Sequence, residues 1–67
     1  MKNFLTKREY EIFSYLAKNY STAQNAEKQN INIKTVRNHI SNTILKLGVR
    51  SRTQAVVILV KNGMIKI

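Results

Sequence analysis

The sequence predicts an all-α domain of four short helices. Proline is absent, and the two glycines, Gly48 and Gly63, each follow an apolar-periodic run, where helix C-caps belong. Thr6–Glu9, Ser21–Gln24 and Ser51–Gln54 each have the spacing of a capping box, in which two side chains satisfy each other's orphan backbone donors. A fourth start lies at Asn32, a capping residue ahead of Val36, Ile40, Ile44 and Leu47 at helical spacing.

Helix 1 spans about 7–18. Leu5 before the cap and Tyr10 in the first turn are placed for a hydrophobic staple. Ile12, Phe13, Leu16 and Ala17 face inward, and Asn19 follows, a residue that tolerates the left-handed backbone of a helix end. Helix 2 spans about 22–29 and has a poor apolar face: Ala23 and Ala26, then Ile31 in the turn. Asn25 and Gln29 stand where larger apolar groups are expected. A polar group buried there without a partner costs roughly 1–3 kcal/mol. Helix 2 must therefore shift, fray or find hydrogen bonds that the sequence does not reveal.

Helix 3 spans about 33–47 and stops at Gly48. Helix 4 spans about 52–62 and stops at Gly63. The middle of helix 4, Ala55 to Val60, is apolar all round, yet a chain of 67 residues buries only one face of such a helix. The outer strip predicts a partner, most simply a second copy related by a two-fold axis near Val56, Val57 or Val60.

Charge narrows the function. Twelve Lys and Arg oppose three acids, a net +9. Glu9, Glu11 and Glu27 all lie in the first 27 residues; from Lys28 onward there are eight cationic side chains and no carboxylate. One half of the molecule is thus an anion-seeking surface. A merely solubilising surface mixes signs. Charge alone leaves DNA, RNA and anionic lipid open. Membrane spanning is not expected, because the longest apolar run falls far short of the roughly 18 residues a span requires.

Chemistry narrows it further. Cysteine is absent, which fits a reducing cytoplasm and removes disulfides and thiolate metal sites. His39 is the only histidine and aspartate is absent, so neither a metal cluster nor a cofactor is expected. The only carboxylates are three glutamates at the N-terminal end, which leaves no nucleophile–base–orienter set. The chain does not read as an enzyme. Tyr10, Phe13, Tyr15 and Tyr20 share their half with all the acid, so they read as core or rim aromatics rather than a stacking platform for single strands.

Helix 3 carries the positive reading. Its apolar stripe anchors one side, while Lys34, Arg37, Asn38 and Ser41 occupy the other. Such side chains suit phosphates and base edges, Arg pairing with guanine O6/N7 and Asn with adenine N6/N7. The same residues on an ordinary helix would be solvated surface. In a basic half-chain flanking an apolar stripe, they read as a DNA-recognition face. Lys34, Lys46, Arg50 and Arg52 cluster around helix 3 and the start of helix 4, a concentration that favours phosphate binding over simple solubility.

These residues resemble the LuxR-type (LuxR/GerE) helix-turn-helix domain, and within it the small members that stand alone and act in sporulation. The likeness runs through Leu5-Thr6-Lys7-Arg8-Glu9, then Thr35-Val36-Arg37-Asn38-His39-Ile40-Ser41-Asn42, Lys46-Leu47-Gly48-Val49, Arg52 and Gln54-Ala55-Val56-Val57. It implies a four-helix fold in which helices 2 and 3 form the helix-turn-helix and helix 4 the dimer contact. It also implies base contacts by Lys34, Arg37, Asn38 and Ser41, and backbone contacts by Thr35 and Lys46, with Arg50 and Arg52 near phosphate. Larger members add a receiver or ligand domain, and neither fits in this length.

The expected function is a cytoplasmic, nucleoid-associated, stand-alone regulator of transcription. It binds double-stranded DNA as a homodimer at inverted-repeat promoter sites and recruits or obstructs RNA polymerase. Two other readings share the composition: a protein-interaction module that pairs with a larger LuxR-type regulator through helix 4, and a nonspecific nucleoid-type DNA binder.

Overall fold

The computed structural model describes residues 4–67, and these form four helices with no strand among them. They are α1 (Lys7–Ala17), α2 (Thr22–Gln29), α3 (Ile33–Leu47) and α4 (Arg52–Lys61). Helix α3 is the hub, packing against each of the other three. The buried core draws on every helix: Ile12 and Phe13 from α1, Ala26 from α2, Val36 and Ile40 from α3, Ala55 and Leu59 from α4. Leu16, Ala17, Ile44 and Leu47 pack around it, partly buried.

The caps set the helix ends. Thr6 and Glu9 exchange both bonds of a capping box, as do Ser21 and Gln24. At α4 only half of the expected box forms. The Ser51 hydroxyl accepts from the Gln54 N–H at 3.2 Å, but the Gln54 amide reaches one residue further, accepting from the Arg50 N–H at 2.8 Å. That shift ties down the loop before α4 rather than its cap. The left-handed backbone falls where short polar residues or glycine can hold it, at Asn19, Asn30, Gly48 and Gly63. A Cβ at Gly48 would meet nothing within 4 Å, so its φ of +72° is what calls for glycine.

One alternative left open by the sequence is settled, and one core residue lies outside the expected helices. Asn25 is fully buried, yet α2 keeps its expected span. Its amide donates to the Ile12 carbonyl at 3.0 Å and accepts from Gln29 Nε2 at 2.6 Å. The Gln29 Oε1 in turn accepts from the Arg8 guanidinium at 2.8 Å. This hydrogen-bonded chain joins α1 to α2 and supplies the partners the sequence left open. The core residue outside the expected helices is Ile65, 2% exposed, which completes the core from beyond α4. After Gly63 the backbone folds back, and the Met64 N–H donates to the Leu59 carbonyl.

Candidate nucleic-acid interface

Helix α3 divides cleanly into two sides. Val36, Ile40 and Thr43 are buried, and the Thr43 hydroxyl is satisfied by donating to the His39 carbonyl at 2.8 Å. Lys34, Thr35, Arg37, Asn38, Ser41 and Asn42 are exposed. Among the described residues, the side chains of Lys34, Arg37, Asn38 and Ser41 hold no hydrogen bond or ion pair. Their donors and acceptors are available to a ligand. Leu45 lies on the same side and is 78% exposed.

The approach to this face is positive. Asn32 caps α3 by accepting from the Lys34 N–H at 2.7 Å, and no acid occupies the first turn. The partial positive charge of the helix N-terminus therefore adds to the side-chain cations. The first turns of α2 and α4 also lack acids. Arg52, at the start of α4, donates to the Thr22 hydroxyl at 2.8 Å, bringing these two helix N-termini together. Sequence reading missed Thr22, because its partner lies 30 residues away.

Lys46 behaves differently from the other cations. Its Nζ is 2.6 Å from Glu9 Oε1 and 3.0 Å from the Phe4 carbonyl, and it stands over the Phe4 ring. Glu9 is 5% exposed and also accepts from the Thr6 N–H at 2.9 Å. Burial pushes the Glu9 carboxyl up. The hydrogen bond and charge of Lys46, with the bond from the Thr6 N–H, outweigh that and hold it below the ordinary value. Most of the Lys46 charge is thus committed inside the molecule. Of three ammonium donors, two are engaged.

On α4, Val56 and Val60 are half-buried and pack against the core, while Val57 is 50% exposed. Val57 and Ile58 line a shallow concavity with Val49, Arg50 and Gln54. The outward apolar strip is narrower than the sequence indicates and centres on Val57. Among the described residues, no group of three or more His, Cys, Asp or Glu is placed to hold a metal ion, and no helix is long and apolar enough to cross a membrane.

The profile of bacterial regulatory proteins of the luxR family matches residues 3–59. The chain belongs to the luxR family. It is 52% identical over 62 residues to the spore germination protein GerE of Bacillus subtilis, covering 92% of this chain and 84% of that protein. It is also 43% identical over 65 residues to the transcriptional regulatory protein DegU of Brevibacillus brevis, and 45% identical over 62 to the response regulator protein VraR of Staphylococcus aureus. Those matches cover 97% and 92% of this chain but only 28% and 30% of the longer relatives. A solved structure of the transcription factor GerE superposes with a TM-score of 0.91 at 51% identity, over 94% of both chains. The four-helix chain is a helix-turn-helix DNA-binding domain of the transcription-regulator type, and its luxR family is one of DNA-binding regulators rather than enzymes.

Proposed function

We propose that this luxR-family domain is a sequence-specific regulator that binds inverted-repeat promoter sites in double-stranded DNA as a homodimer. Helix α3 enters the major groove. Lys34, Arg37, Asn38 and Ser41 read base edges, and Thr35, Arg50 and Arg52 hold phosphates. Lys46 chiefly braces the scaffold and offers its remaining N–H to phosphate. The observation that carries this reading is the pairing of an unengaged polar face with a buried face on one helix. The packed rod fixes the backbone beneath those tips, so binding has to order only the side chains themselves.

The dimer contact assigned to α4 is supported by exposed Val57 beside partly buried Ile58. Val56 and Val60 form its inner edge. A two-fold dimer places its recognition helices about 10 base pairs apart, or a multiple of that. A role in sporulation is supported by the likeness to GerE, a spore germination protein by name; cytoplasmic action on the nucleoid and contact with RNA polymerase belong to the same proposal.

The test is selection of bound duplexes from a random pool, followed by competition against random DNA. The expected result is a palindromic sequence preferred by about 10³-fold or more. Equal affinity for selected and random duplex would instead identify a nonspecific binder.

A further inference from the structure

Leu45 stands among hydrogen-bonding side chains on the outer face of α3. At 78% it is more exposed than either Val57 or Tyr10. A lone exposed leucine is common and by itself carries no function. Position distinguishes this one. Eleven residues separate it from Lys34, three helical turns plus about 20° of rotation. Leu45 therefore falls within the stripe, between the directions of Asn38 and Ser41. The axial distance from Lys34 is about 16 Å, or roughly five base-pair steps of 3.4 Å.

The major-groove edge of a base pair presents donors, acceptors and one apolar group, the C5 methyl of thymine. Lysine, arginine, asparagine and serine suit the donors and acceptors. Leucine suits only the methyl. We propose that Leu45 is a specificity-determining residue that reads a thymine methyl at the end of the contacted stretch furthest from the N-terminus of α3. This rests on the major-groove reading proposed above.

The experiment replaces each thymine of the selected duplex singly with deoxyuridine, which removes the methyl and leaves base pairing unchanged. Affinities are measured for the unaltered protein and for Leu45→Ala and Leu45→Gln, with unfolding midpoints checked for each. At one thymine, deoxyuridine should weaken the unaltered protein about fourfold, the effect of one methyl-sized group. The same replacement should leave both variants unchanged. If a specific duplex is bound but no deoxyuridine position distinguishes the unaltered protein from the variants, Leu45 does not read a methyl, while the reading by α3 stands. If no duplex is preferred over random DNA, the α3 reading fails and this inference fails with it.

Discussion

Lys46 Nζ lies 2.6 Å from Glu9 Oε1, joining the last turn of α3 to the first turn of α1 across 37 residues of sequence. The glutamate is almost wholly buried and the lysine about one-third exposed. A pair so placed orients α3 from within. It also separates two roles that a lysine beside a DNA-binding face can have, holding the scaffold and holding the ligand.

Removing the lysine leaves a buried carboxylate without its cation. Lys46→Ala should destabilise the fold by about 2–3 kcal/mol, somewhat below the cost of breaking a fully buried pair because water reaches the lysine. Urea unfolding measures this. Where the variant remains folded, its DNA affinity should fall similarly for all sequences; a loss confined to particular base pairs would assign Lys46 to base reading.

The same pair makes stability depend on acid. The Glu9 carboxyl is held below 4.5, its ordinary value, in the folded protein. Below 4.5 the unfolded chain takes up its proton first, so the contribution of Glu9 is full above that pH and is lost as pH falls through the lower folded value. Unfolding midpoints should drop on acidification from pH 5. Glu9→Gln should be less stable at neutral pH and show a flatter profile in the acid range.

The chain from Arg8 through Gln29 and Asn25 to the Ile12 carbonyl predicts strong coupling. Asn25→Ala should cost about 2–3 kcal/mol, combining lost bonds with a small cavity. Gln29→Ala should cost less, since its amide is only half-buried. The double variant should fall short of the sum by at least about 0.5 kcal/mol. Additive losses would show that the two amides act independently.

Much of the architecture was legible because helix ends are local chemistry. Thr6 with Glu9, Ser21 with Gln24, Asn32 and Gly48 each act within a few residues, and the ends of α2 and α3 fall where those signals put them. What was not legible depends on distant partners. Asn25 looked like a defect because the Ile12 carbonyl and Arg8 are far away in sequence. Lys46 reads from sequence as a phosphate contact, because its partner Glu9 is further away still. Ile65 carries no periodic signal, being a single apolar position in a short tail. The outward face of α3 could be read from spacing, but the bond from Arg52 to Thr22 required the fold.

Arg37 and Arg50 should separate recognition from attraction. Arg37→Ala should cost about 1–3 kcal/mol on the preferred duplex and relax the preference at particular positions. Arg50→Ala should weaken all duplexes alike and reduce the log–log salt slope by about one. Filter binding across a salt series, on selected and scrambled duplexes, reads both effects.

The α4 strip should be sensitive to charge at its centre. Val57→Glu should leave the monomer folded, since the side chain is half in water. Sedimentation should then report monomers, and binding to two half-sites should lose its cooperativity. A Val57→Glu protein that sediments as a dimer on DNA would place the contact elsewhere.

Because the inward side of α3 meets every other helix while its outward tips meet none, the proposed reading of DNA by those tips puts target choice and foldedness on separate residues of one rod. Exchanging Arg37, Asn38 or Ser41 for other polar side chains leaves the interior undisturbed. On that proposal, a few surface replacements suffice to change the operator without passing through forms that fail to fold.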